Sequence, residues 1–124
     1  MRYLITIYHD EHELDALPDD KRRALVDSAL EYIDEIRHSG HFIASNALQR
    51  ARTGRIIRVR GGKVSTTDGP YAETKDQLGG FILIEARNMD EACEIAARFP
   101  PARIGVLEVR PVEELKHSSR TLHL

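Results

Sequence analysis

The chain has 124 residues, 41% of them hydrophobic, which is the size of one globular domain with a single core. Its formal net charge of -2 and its pI near 6.3 exclude the overall positive field that draws a protein to nucleic acid or to an anionic membrane. The lone cysteine, Cys93, excludes an intramolecular disulfide, and the apolar run in M-R-Y-L-I-T-I-Y-H is too short for a signal peptide or a membrane span, so a cytoplasmic location is expected.

Residues Arg2 to Tyr8 are β-branched and aromatic in loose alternation, which predicts a first strand, followed by an acidic loop. Leu17-Pro18-Asp19-Asp20 carries the residues of a helix start, and Leu25, Ala29, Tyr32, Ile33 and Ile36 repeat at helical spacing until Gly40 stops the pattern. His41 to Leu48 reads as a second strand. Arg55 to Thr66 reads as a hairpin turned at Gly61-Gly62, a pair that tolerates positive φ.

Thr67 to Gly80, T-D-G-P-Y-A-E-T-K-D-Q-L-G-G, follows as a long loop. Phe81 to Ala86 is a continuous apolar run, which predicts a strand buried on both faces. Asn88-Met89-Asp90-Glu91 opens a second helix like a capping box, Pro100-Pro101 closes it, and Arg103 to Val109 is the last core strand. Cys93 falls in the pattern of this helix and is expected to be a packed or half-buried structural thiol. Residues 1–112 are expected to form one domain and 113–124 a polar tail.

Without the hairpin the order is β-α-β-β-α-β, the ferredoxin-like split βαβ arrangement of an α+β protein. Its two helices cover one sheet face. An apolar second face calls for a cover that the chain does not hold, and a second copy packed sheet to sheet supplies it, giving a homodimer; an open sheet with a modestly apolar outer face is the alternative.

Chemistry concentrates in the long loop. Pro70 has no N–H, so the Asp68 carboxylate lacks the usual partner two residues on; it either caps Tyr71 or a later residue or stays available to a ligand. Gly69 precedes Pro70 and is held away from the helical region. Tyr71, Glu73 and Lys75 add an aromatic ring, an acid and a cation. Loops of this length within a domain are often functional. His9, at the end of the first strand, is placed to share a cleft with Asp68. His9 and His12 in Y-H-D-E-H-E-L-D match no metal-ligand spacing, so no metal is expected. Arg50, Arg52, Arg55, Arg58, Arg60 and Lys63 fall in one segment without an acid, yet it lacks interleaved aromatics, which argues against nucleic acid. Six acids between Asp10 and Asp20 either face it within the dimer or are separately solvated.

The motif D-G-P-Y-A-E-T-K-D-Q-L-G-G-F-I-L-I-E-A, with V-R-P-V at Val109 to Val112, resembles the DGPF-type branch of the YCII-related proteins, with Tyr71 in place of the commoner Phe. The resemblance implies a dimeric α+β barrel of ferredoxin-like subunits with a cleft between sheet and loop. Members of this branch often accompany extracytoplasmic-function sigma factors, which implies a non-catalytic regulatory or sensor role as the alternative to catalysis. The expected function is small-molecule binding, with cofactor-free acid-base chemistry: Asp68 as general base, His9 as its partner, Arg58 or Lys75 meeting developing negative charge, and Gly69, Pro70, Tyr71 and Glu73 lining the cleft.

Overall fold

Alternation along the first strand organises the molecule. The computed structural model describes residues 1–123. In β1 (Arg2–Asp10), Tyr3, Ile5 and Ile7 are buried while Leu4, Thr6 and Tyr8 are half-buried on the opposite face. The strand lies at the centre of a four-stranded sheet. It pairs antiparallel with β5 (Asp76–Glu85) on one side and β6 (Val106–Pro111) on the other, and β2 (Phe42–Ala47) pairs antiparallel with the outer edge of β5. The order β2-β5-β1-β6 is that of the ferredoxin-like arrangement. The expected α+β class is the one observed.

Helices α2 (Asp19–His38) and α3 (Met89–Ala97) cover one face of this sheet. Tyr32, Ile33 and Ile36 of α2 meet Ala92, Ile95 and Ala96 of α3 over Ile5, Ile82 and Ile84, so the core is a layer of isoleucines roofed by two helices. The buried Tyr32 hydroxyl donates to the Ile95 carbonyl at 2.7 Å, and its ring tilts against Phe99 with centroids 6.1 Å apart, which ties the helices together. Gly40, at φ 84°, ends α2 in the left-handed conformation that glycine adopts freely. Asn88 caps α3 by accepting from the Glu91 N–H at 2.9 Å, and the Glu91 carboxylate reaches back to the Arg87 N–H.

Strands β3 (Arg55–Arg60) and β4 (Lys63–Asp68) form a separate two-stranded sheet, turned through Gly61 and Gly62 at φ 57° and 75° as the glycine pair implied. Ile57, Val59 and Val64 are exposed on it.

Several expectations need correction. The acidic loop contains a short helix, α1 (Glu11–Ala16), which Asp10 caps by accepting from the His12 N–H at 2.9 Å; six residues are too few for a periodic pattern. The long loop is half the expected length, because β4 runs to Asp68 and β5 begins at Asp76, where Asp10 and His9 pair with Asp76 and Gln77. Its polar and glycine-rich end read as loop, yet backbone pairing with β1 takes it into the sheet. Phe81 to Ala86 is buried on one side only: Ile82 and Ile84 are 1% and 0% exposed, while Phe81 and Leu83 are half-buried. Cys93 is exposed, since it lies about 100° around the helix from the buried residue Ala92. The last strand starts later than expected, after a 3-10 turn at Pro100–Arg103.

Candidate functional site

The buried residues of α2 all lie in its C-terminal half. Beneath the middle of the helix the sheet presents small side chains, and an apolar cavity of about 300 Å³ opens there. Gly79, Gly80, Ser45 and Ala47 lie along its floor, Leu25, Ala29 and Ile33 line the α2 side, and Leu14 of α1 helps close one end. Val26, Leu30, Leu48 and Ile104 also line it and are exposed, so the cavity has an apolar rim.

His9 and Arg50 bring the titrating and charged groups to this cavity. His9 follows the inward alternation of Ile5 and Ile7, and its imidazole occupies space that a side chain at residue 79 would fill: a Cβ on Gly79 would overlap the ring. The register explains how. Tyr8 pairs with Leu78 and Ile7 with Gly80, leaving Gly79 as the extra residue of a β-bulge, with its carbonyl accepting from the Leu48 N–H at 2.8 Å. Gly80 is required for a different reason, the close approach of the Asn46 carbonyl.

Arg50 is held by an ion pair with Asp15 of α1, and the Glu11 carboxylate accepts from the Ala51 N–H at 2.9 Å. The acidic segment and the start of the basic segment therefore meet within one chain. Arg50 bonding holds the Asp15 carboxyl below its usual range. Burial, then the Arg50 charge, lowers the His9 pKa below its ordinary 6.5, against the opposing pull of Glu11, Asp76 and Asp15. The folded state thus favours neutral His9, while the unfolded chain protonates it near 6.5. This stabilising contribution is present above that value and is lost as pH falls from it toward the lower folded pKa. Urea denaturation at about pH 7.5 and about pH 5.5 should show stability falling with acidity, and His9→Gln should flatten that part of the profile.

The residues expected around Asp68 separate into different places. Asp68 ends β4, pairs there with Arg55 and is exposed, and its carboxylate forms no hydrogen bond or ion pair among the described residues. Asp68 lines neither the cavity beneath α2 nor the two clefts beside the loop; His9 faces the helices, while those clefts are lined by its outward neighbours Tyr8 and Asp10. One loop cleft takes Pro70 and Tyr71 beside Tyr8 and Arg50; the other takes Glu73 and Lys75 beside Glu11, His12 and Arg52. Arg58 lies over the Tyr71 ring at 5.6 Å from its centroid, on the hairpin side. Gly69 is bonded through its N–H to the Gly54 carbonyl at 2.9 Å, and a Cβ there would crowd Gly54. The Gln77 amide donates to the carbonyls of Ala72 and Thr74 at 2.8 and 2.9 Å, so the loop is stitched to itself. Among the described residues no three His, Cys, Asp or Glu stand together as a metal-holding group, and no helix is long and apolar enough to cross a membrane.

Sequence reasoning singled out His9 but missed the cavity role of Arg50, Ser45 and Gly79. The available signals were Val26 and Leu30, which widen the apolar stripe of α2 beyond what a packed core needs, and a glycine pair followed directly by a core strand.

The fold and this cavity define an α+β protein of ferredoxin-like topology with an inserted hairpin and a ligand-sized chamber between helix and sheet. The chain belongs to the family of YCII-related domains, whose model matches residues 1–116. A stretch of 58 residues is 43% identical to an uncharacterized protein of Rhizobium meliloti, covering 45% of this chain and 47% of that protein, so the match spans about half of each. Among solved structures it is similar to 5-chloro-2-hydroxyhydroquinone dehydrochlorinase from Burkholderia phenoliruptrix in complex with 2,5-dihydroxybenzoquinone, at 16% identity and a TM-score of 0.57, over 91% of this chain and 94% of that one. At that identity the likeness is one of fold.

Proposed function

We propose that the protein binds a small organic molecule in the chamber beneath α2 and moves a proton on it, without a cofactor, through His9. The observation that carries this reading is the chamber itself: an apolar space of about 300 Å³ whose polar end holds a half-buried imidazole and a guanidinium. An imidazole with a lowered pKa is unprotonated at neutral pH and accepts a proton, and the adjacent Arg50 offsets negative charge that develops on the bound compound. This assignment puts His9 and Arg50 in the roles that the sequence suggested for Asp68 and for Arg58 or Lys75. The small planar ligand of the fold neighbour supports the choice of a small molecule as occupant.

The proposal includes a homodimer through the outer sheet face, where Leu4, Tyr8, Phe81, Leu83 and Val106 lie on the side away from the helices. Thermal-shift screening with small aromatic acids and phenols tests the chamber. At least one compound should stabilise the protein, and Val26→Trp, which fills the chamber from its exposed rim, should abolish that shift while leaving the fold intact. Failure of every compound to stabilise the parent protein would count against the reading.

A further inference from the structure

The charges around the chamber narrow what it accepts. Among the described residues Arg50 is the one cation lining it, and Asp15 already takes part of that charge through the ion pair. Glu11, Asp15 and Asp76 lie outside the chamber lining yet act on the charge of His9, and the Glu11 and Asp15 carboxylates bond to Ala51 and Arg50 at that end. The rest of the wall is aliphatic or aromatic, apart from Ser45 and Asn46.

We infer that the chamber selects an apolar, ring-sized molecule bearing a single oxygen acid, a carboxylate or an acidic hydroxyl, and rejects dianions such as phosphate esters. The inference rests on the reading of the chamber given above and adds the class of ligand. An uncharged hydroxyl leaves the guanidinium without a charged partner from the ligand, and a single negative charge completes it. A second negative charge meets the acids with no further cation to balance it. A cavity of about 150 Å³ already admits benzene, so about 300 Å³ holds one substituted ring.

Titration calorimetry of the intact chain at slightly alkaline pH, with benzoate, benzyl alcohol and phenyl phosphate as probes, tests the selection. Benzoate should bind about tenfold or more tightly than benzyl alcohol, the ratio expected of a charge-assisted hydrogen bond, and phenyl phosphate more weakly than benzoate. Arg50→Gln should remove the preference for benzoate over benzyl alcohol. Asp15→Asn, which removes the charge at an exposed carboxylate but retains a side-chain oxygen to accept from Arg50, should strengthen benzoate and admit phenyl phosphate. Equal binding of benzoate and benzyl alcohol, or tighter binding of phenyl phosphate by the parent protein, would overturn the inference and leave the chamber's role as a binding site standing. If none of the three probes binds, both the inference and the reading beneath it fail.

Discussion

Gly79→Ala is expected to destabilise the protein by about 1–3 kcal/mol, the usual range for forcing an extra methyl into a filled space. The added Cβ would overlap the His9 imidazole, and Gly79 cannot simply retreat because its carbonyl is bonded to the Leu48 N–H. The ring must therefore rotate out of its position, and the polar end of the chamber is lost with it. A double-mutant cycle separates this from a generic cost of replacing a bulge glycine. In a His9→Ala background the methyl enters vacated space, so most of the penalty should disappear. Urea denaturation of the four proteins gives the coupling energy, and additive effects would show that Gly79 serves the bulge rather than the histidine.

The second large effect concerns the outer sheet face. Leu83 sits between Leu4 on β1 and Ala44 on β2, at the centre of the side turned away from the helices. Leu83→Glu should convert the proposed dimer to monomer, because a carboxylate placed in a dry interface without a partner costs several kcal/mol. Sedimentation velocity of parent and variant reads the outcome directly. A parent that sediments as a monomer, with a variant of equal stability, would place this face in water and remove the dimer from the proposal. The half-buried state of Leu83 in a single chain keeps the test clean, since the variant's charge can reach solvent in the monomer.

Much of the architecture was legible because it rests on local chemistry. The glycine pair at 61–62 turns the hairpin, Asn88 and Glu91 start α3, Gly40 ends α2, and alternation in β1 marks the inward residues. The site was harder to read. His9 carried its own signal as a titratable group near a strand end, but the groups around it come from β5, α1 and the turn after β2, and only tertiary pairing assembles them. The bulge at Gly79 illustrates the limit: the sequence D-Q-L-G-G carries turn-forming residues, and the fact that it is paired with β1 depends on a partner some 70 residues away. Arg50 was equally hidden, since nothing in a run of basic residues distinguishes the one that turns back to Asp15. Asp68 drew attention for a sound local reason, the missing Pro70 N–H, and the carboxylate is without a partner among the described residues; what locality could not supply was that the cavity beneath α2 is lined from other elements.

Strand β1 deals its residues alternately to two compartments, Ile7 and His9 to the chamber under the helices, Tyr8 and Asp10 to the clefts beside the loop. Point substitutions can therefore tune either compartment while leaving the other untouched, even at adjacent positions. A reading slip is another matter. Loss of a single residue within the strand would hand every side chain beyond it to the opposite room, turning imidazole and tyrosine about together, so this segment tolerates exchange of letters and not a change in their number.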